Sequence, residues 1–440
     1  MKKLGLIQIL GLIPGLITDP LKAYTGVVKK YGTTVKFKIA SEEFFVFTEP
    51  EHIKHILKDN QDNYSRGKAL VELKDLFGEG LFASEGKHWQ HNNRLLKPAF
   101  HGKILKDYES KFQKHFIIFC DQIEAKTDRE IDLQIELKRL MLSIQMDTQL
   151  ILTNPDKIDE IISALAFCNH FVSGKEQSLK VLGSAFGLTN KKKQRKFEKA
   201  IGVLDKYAYS IINQAIETPQ TSGATLSLLL ESYKKNELTK RQVRDEIMSL
   251  LFAGFDTVAE ALFFTLYEIA KSNKVLNNIL KEIIPIDGFP LVTDLQNLTY
   301  TKAVVQEGLR MYPVAWIFPR IALGHDDVDG NAVRKNAFIV ISPFLTHRLP
   351  KYWDNPESFS PDRFIEGFKP RHPFAYIPFG QGKRVCIGNA LAMMQMRMLI
   401  PAIIKNFHLE LVSKDSPIMD PLVILTTKKA VLFRMKKRSF

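Results

Sequence analysis

The sequence predicts a mainly α-helical protein with a small β-rich region. Three observations carry that expectation. From about residue 50 to residue 309, apolar residues recur mostly at the 3.6-residue spacing of amphipathic helices, in long runs separated by short polar loops. Near the N-terminus, Val35, Phe37 and Ile39 instead alternate with lysines, which is the two-residue period of a half-buried strand. Strand character then returns only in the last third, at residues 317–322, 337–342 and 422–433.

The chain begins MKKLGLIQILGLIPGLI, a basic start followed by an apolar run over residues 4–17. That run is shorter than the ~20 residues a spanning helix needs. It also contains Gln8 and Pro14 and leads straight into a helix start, with no small-residue cleavage site. An ordered or surface-lying segment over residues 1–18, able to touch a membrane, is therefore expected. Asp19-Pro20 supplies a cap and a fixed first-turn φ, and Gly32 a permissive end, so residues 21–31 should form a helix. The stretch TTVKFKIASEEFFVFTEP reads as a β-hairpin. The longest helical pattern opens at Thr239, presents Ile247, Leu250, Leu251, Phe255, Val258 and Leu262, and ends near Ser272. At 1.5 Å per residue it would run roughly 50 Å, long enough to cross the whole molecule.

The 440 residues are 45% hydrophobic and 25% charged, enough for a large core. We expect one domain over residues 1–440. A net charge of +14 favours an anionic partner such as an acidic protein, a membrane surface or nucleic acid. No nucleic-acid-binding module is recognisable, so that last class is set aside. Cys120, Cys168 and Cys386 are odd in number and far apart, which argues against a disulfide framework or paired-cysteine zinc site and for a reducing, cytoplasmic location. The basic run KKKQRK at residues 191–196 reads as a solvated helix start, with membrane contact as its functional alternative.

The stretch FGQGKRVCIG, residues 379–388, precedes the helix-forming run NALAMMQMRMLI. Cys386 thus lies where loop amides and a helix dipole favour a thiolate. Gly380, Gly382 and Gly388 let backbone approach a flat group, and Arg384 can hold a carboxylate. Glu307 and Arg310 sit i, i+3 on a helix that Pro313 ends, so they can pair. AGFDT, residues 253–257, places Gly254 in mid-helix at about 1 kcal/mol relative to alanine, which something must offset.

The ten-residue cysteine stretch matches the heme-binding signature of the cytochrome P-450 superfamily. Glu307 and Arg310 resemble that family's ExxR motif, PDRF at residues 361–364 its companion segment, and AGFDT its distal oxygen-binding helix. The resemblance implies the cytochrome P-450 fold, with the long central helix over a buried heme b. It makes Cys386 the thiolate ligand of the iron, with Phe379 and Gly380 beside the cofactor. Glu307, Arg310 and Arg363 become a structural network, and Asp256 and Thr257 a proton-relaying acid and alcohol. Trp89 resembles the WxxxR tryptophan beside a heme propionate, but Asn93 holds the arginine position. Arg94, one residue on, points about 100° away. Arg320 resembles the second propionate-binding arginine. His347 either sits near it or is a hydrogen-bonded core histidine.

The implied reaction is insertion of one oxygen atom from O₂ into a C–H bond. No flavin or iron–sulfur motif follows Cys386, so a ferredoxin or flavodoxin with its NAD(P)H-dependent reductase is the implied donor, docking on a basic patch of Lys97, Lys383 and Arg397. A peroxide-driven heme-thiolate oxygenase and a non-enzymatic heme carrier or sensor are the rivals, and neither needs Asp256-Thr257. Segments expected to line the substrate pocket contribute Phe82, Phe167, Phe252, Ala253, Phe255, Val314, Ala315, Trp316, Ile317, Leu422 and Val423. Their apolar character favours a lipophilic small molecule, a terpenoid, carotenoid or fatty acid. The stretches YPVAWIFPR and SPFLTHR resemble those of bacterial carotenoid and fatty-acid hydroxylases. Oxidative O-demethylation of a methyl ether stays open.

Overall fold

The computed structural model describes residues 2–39, 42–67, 73–151, 155–173, 191–219, 222–365 and 370–438. Helices make up most of these residues, and seven carry the argument: α1 (Leu6–Thr18), α2 (Pro20–Tyr31), α3 (Gly86–Leu96), α4 (Leu133–Gln149), α5 (Lys240–Ala270), α6 (Thr299–Met311) and α7 (Asn389–Asn406).

Local chemistry sets the element ends. The Asp19 side chain accepts from the Lys22 amide at 3.2 Å, Pro20 opens α2, and Gly32 leaves it at φ +98°, a left-handed conformation that suits glycine. Ahead of it, α1 lies on the protein with Ile9 buried, while Ile7 is 87% and Leu10 59% exposed. Thr239 begins α5 with a capping box: its hydroxyl accepts from the Gln242 amide at 3.2 Å, and the Gln242 side chain accepts from the Thr239 amide at 2.8 Å.

The expected hairpin is present as β2 (Thr34–Ile39) and β3 (Glu42–Phe47), antiparallel, after a short β1 (Lys2–Lys3) that runs parallel to β2. With β4 (Tyr64–Ser65), β5 (Phe318–Ala322) and β6 (Phe338–Ile341) they form one sheet in the order β1-β2-β3-β6-β5-β4. Pairing Val35 with Val46 and Phe37 with Phe44 keeps Val35, Phe37 and Val46 in the core. The single strand segment expected over residues 422–433 is instead divided. A hairpin of Met419–Pro421 with Leu425–Thr427 precedes a strand at Leu432–Lys437, which pairs with Phe407–Leu411 and Glu130–Asp132. Between them, residues 428–430 are exposed, so the apolar pattern is interrupted where the chain leaves the core.

At the centre, α5 packs along α4 and meets α6 and α7. It is long and apolar enough to cross a bilayer, yet most of it is buried inside the protein, as expected of a core helix. Its 31 residues correspond to about 46 Å.

Candidate active site

The cysteine loop is pinned from both sides. The Cys386 amide donates to the Phe379 carbonyl at 2.9 Å, and the Gly380 amide to the Ile377 carbonyl at 3.1 Å. Gly380 and Gly382 have φ of +72° and +76°. A Cβ on Gly382 would overlap the Leu57 carbonyl oxygen, so this glycine seats the loop against its neighbour, whereas Gly388 has ordinary room beside Phe100 and the Cys386 sulfur.

Cys386 is surrounded by protein yet has accessible surface, the combination found at the wall of a deep crevice. Burial pushes its thiol pKa up, and the Gly388 amide opposes that shift without cancelling it. A cation at sulfur would act in the opposite direction to burial and favour the thiolate.

Three guanidiniums gather beside this loop. Arg384 donates to the Ser84 carbonyl at 2.9 Å and stacks 4.2 Å over the half-buried Trp89 ring. Arg320 is 9% exposed, and among the described residues its side chain hydrogen-bonds only to the Pro319 carbonyl. Arg66 donates to the Phe82 and Ser84 carbonyls at 2.5 and 3.4 Å, and its Nε is buried without a partner. Burial and mutual repulsion lower Arg320 to about 10 and Arg384 to about 9, while burial lowers Arg66 to about 10. Among the described residues, Glu85 is the one carboxylate that opposes these shifts, leaving a surplus of two positive charges. Arg66 was invisible to motif reading: YSRG resembles an ordinary turn, and the two arginines it joins, Arg320 and Arg384, lie hundreds of residues away. Arg94 is exposed and Asn93 is half-buried, and among the described residues neither contacts these guanidiniums.

A second network stands behind the loop. Arg310 grips Glu307 with Nε at 2.7 Å and a terminal nitrogen at 2.9 Å, both side chains being fully buried. Arg363 Nε reaches the same carboxylate at 3.1 Å, as does the Ser360 amide at 2.8 Å. Arg310 also donates to the carbonyls of His347 and Pro356 at 2.9 and 2.8 Å. His347 turns out to be a core histidine. Its Nε2 accepts from the Ile377 amide at 2.9 Å, which places the hydrogen on Nδ1, donating to the Arg310 carbonyl at 3.1 Å. Burial holds this ring neutral, with a pKa pushed down to about 3. The chain from Glu307 to Ile377 therefore ends at the start of the cysteine loop.

Midway along α5 the burial pattern breaks. Ala253 is exposed and Gly254 and Thr257 are half-buried, while Phe252, Phe255 and Asp256 are buried. Thr257 Oγ donates back to the Ala253 carbonyl at 2.7 Å. The offset for Gly254 comes from α4: a Cβ there would overlap the Gln145 amide, which donates to the Leu250 carbonyl at 2.6 Å. Asp256 does not share the accessible face with Thr257. It is turned toward α4, where its carboxylate meets Lys138 Nζ at 2.8 Å.

Around this opening, Phe82 and Phe252 pack with Phe77 at ring separations of 4.9 to 5.4 Å, and Phe82 is the more accessible of the expected pair. Phe252 and Phe255 belong to aromatic and core packing more than to an open wall. Trp316 Nε1 donates to the Leu422 carbonyl at 2.9 Å, and the Leu425 amide to Val314 at 2.8 Å. Those bonds stitch two expected pocket segments together. Of the supposed basic patch, Lys97 is exposed, Lys383 is exposed but paired with Asp62 at 2.6 Å, and Arg397 is half-buried and donates to the Leu295 carbonyl. Arg397 therefore drops out.

Residues 3–434 match the family model described as Cytochrome P450. Cytochrome P450 4d10 of Drosophila mettleri is 26% identical, the match covering 94% of this chain and 86% of that protein. The chloroplastic protein LUTEIN DEFICIENT 5 of Arabidopsis thaliana is also 26% identical, over 88% of this chain and 69% of its own. A mutant heme domain of cytochrome P450DA superposes with a TM-score of 0.85 at 21% identity, over 97% of this chain and 95% of that one. The chain belongs to the cytochrome P450 family, heme-thiolate monooxygenases that contain heme b and take electrons from redox partners.

Proposed function

We propose that this chain inserts one oxygen atom from O₂ into a C–H bond of a lipophilic substrate at a heme held by Cys386. The observation that carries the reading is the surplus of two positive charges made by Arg66, Arg320 and Arg384 against Glu85, next to an accessible thiol. Heme b bears two propionate carboxylates, so the surplus matches it in sign and number. Trp89, Phe379 and Gly380 complete the cofactor-holding set. Bound there, the heme supplies oxygen activation and electron storage.

The polypeptide does the positioning. Glu307, Arg310, Arg363 and His347 fix the loop that presents the Cys386 sulfur. Thr257 offers a hydroxyl on the accessible step of α5, and Asp256 supplies a carboxylate one residue away. An acid and alcohol so placed favour an O₂-driven enzyme over a peroxide-driven one or a passive heme carrier. Phe82, Ala253, Val314, Trp316 and Leu422 form an apolar wall suited to a terpenoid, carotenoid or fatty acid. The name of the Arabidopsis relative, which refers to lutein, agrees with that class for its own part. Exposed Arg94 and Lys97 lie at the end of α3, ahead of Phe100, which touches the cysteine loop. They support docking of an acidic ferredoxin or flavodoxin. Exposed Ile7 and Leu10 on α1 support contact with a membrane surface from a reducing, cytoplasmic compartment.

The test is reconstitution with heme, reduction and CO, followed by a spectral binding screen of fatty acids, carotenoids, terpenoids and methyl ethers. A thiolate-type Soret band that disappears in Cys386→His is expected, with turnover supported by a ferredoxin or flavodoxin chain. Retention of that band in the variant would overturn Cys386 as ligand, and product formed only with peroxide would favour the rival enzyme.

A further inference from the structure

The turn over residues 78–85 joins a short helix to α3 and has no helix or strand of its own, yet every amide from Glu79 to Ser84 is hydrogen-bonded. Three bonds close within the segment: Gly80 donates to the Phe77 carbonyl at 3.0 Å, and Ala83 and Ser84 both donate to the Gly80 carbonyl at 2.9 Å. The other three run to side chains of α5. Glu79 donates to Asp245 Oδ2 at 3.1 Å, Leu81 to Glu246 Oε2 at 3.0 Å and Phe82 to the Ser249 hydroxyl at 3.4 Å.

Asp245, Glu246 and Ser249 lie within about one turn of α5, and none is more than 3% exposed. The approach is close enough to demand glycine. Gly78 has φ +51° and a Cβ there would overlap the Asp245 carboxylate; a Cβ on Gly80 would overlap the Asp245 carbonyl oxygen and the Ser249 hydroxyl. Arg244 ties down the start of the segment, donating to the Leu76 carbonyl at 3.0 Å and to Asp245 Oδ1 at 2.9 Å. Asn92 of α3 holds the Glu79 carbonyl at 3.1 Å.

Glu246 is the member that packing does not explain. Among the described residues it has no ion-pair partner, whereas Asp245 has Arg244. A buried acid without a cation is a costly way to fill space. What it supplies is a directed acceptor, aimed at the amide of the residue before Phe82. Phe82 itself is held from both sides, its amide by Ser249 and its carbonyl by Arg66 at 2.5 Å. Its half-buried ring rests 4.9 Å from Phe77 and 5.4 Å from Phe252. Loops are ordinarily more mobile than the elements they connect; this one is tied to the central helix.

We infer that Asp245, Glu246 and Ser249 are positioning residues for substrate: they pin the 79–82 backbone to α5 and so set how far the Phe82 ring reaches into the pocket. The wall at this end is a fixed stop rather than a yielding lid, and the apolar length of a ligand is the property it selects. The inference rests on the reading of Phe82 as a pocket residue.

Two measurements on the heme-loaded enzyme test it without turnover or a known substrate. Hydrogen exchange reads the bonds. The Soret shift on titration with imidazole and with phenylimidazole reads the wall, because only the second ligand carries a ring to meet it. In Glu246→Ala the 79–82 segment should lose at least about tenfold of its exchange protection, as for a lost bond to a charged acceptor. Ser249→Ala, the smaller change and the fallback if Glu246→Ala does not fold, should lose less. In both, the preference between the two ligands should shift toward that of Phe82→Ala, while Glu246→Gln, whose amide oxygen still accepts from Leu81, stays near wild type. A preference shifted in Phe82→Ala but unchanged in Glu246→Ala and Ser249→Ala overturns the pinning, as does protection retained in both. Glu246→Gln behaving like Glu246→Ala removes Glu246 as the acceptor. A preference unchanged in Phe82→Ala overturns instead the reading of Phe82 as a pocket wall.

Discussion

Two buried ionic networks flank the centre of this protein with opposite charge ratios. Behind the cysteine loop, two guanidiniums share one carboxylate: Glu307 accepts from Arg310, Arg363 and the Ser360 amide, and Arg310 also binds three backbone carbonyls. Between α4 and α5, the Asp256 and Glu260 carboxylates share the Lys138 ammonium, and Asp256 Oδ1 is left without an aligned hydrogen bond. The first arrangement meets its buried carboxylate with donors on both oxygens. The second cannot ionise both acids cheaply. The two therefore differ in how they answer the loss of one partner.

Breaking the first network should have the larger effect on stability. Glu307→Ala leaves two guanidiniums without their carboxylate in the interior, a change expected to destabilise by roughly 3–5 kcal/mol. Because the network reaches Ile377 through His347, heme content should fall with the melting temperature. A variant that melts like wild type with full heme would show that the loop holds itself. Lys138→Met is the matching break on the other side, and it should cost less at neutral pH, about 1–3 kcal/mol, since the orphaned Glu260 carboxyl can bind a proton. The sign with pH follows. Glu260 has its folded-state pKa raised above the unfolded value, and more so without Lys138. The folded variant therefore binds more protons than the unfolded chain, and its stability is greatest in acid and lost as pH rises. Thermal melts of variant and wild type across pH 4–8 measure this; a difference that does not grow with pH contradicts the unequal charge count.

The contrast also separates what was legible in the sequence from what was not. The Asp19-Pro20 start, the Gly32 stop and the alternation at Val35, Phe37 and Ile39 act over a few residues, so helix and hairpin could be read directly. Glu307 and Arg310 are three apart, and motif context marked them as a pair. The network between α4 and α5 is different. Lys138 meets Glu260 across more than a hundred residues, and nothing local to ELKRLML or TVAEALFF names the partner. Arg66 carried no such hint, because its significance is the surplus charge it makes with Arg320 and Arg384. Gly254 was noticed, but the reason for it is a Gln145 side chain from another helix.

The smallest expected effect on stability, and the one that joins the two regions to chemistry, is that of Thr257→Ala. The hydroxyl makes one hydrogen bond, back to Ala253 in its own helix, and lies on a half-buried step. Its loss should change stability by only about ±0.5 kcal/mol, and alanine suits a helix interior better than threonine. Heme binding and substrate affinity should stay near wild type. Coupling should not. A proton supplied through Asp256 has to be placed on the accessible side of α5, and Asp256 itself is turned toward Lys138. Thr257 is the neighbouring hydroxyl on that side, so without it protons arrive through less ordered water and more reducing equivalents should end as released peroxide. Product per NAD(P)H should drop by roughly tenfold or more, within the range for a positioned proton-transfer group, while the melting temperature holds. Measuring NAD(P)H consumed, peroxide released and product formed in one reconstituted chain decides it. Unchanged coupling would remove Thr257 from the relay, whereas lost coupling accompanied by lost heme would place the residue with Glu307 as a holder of shape.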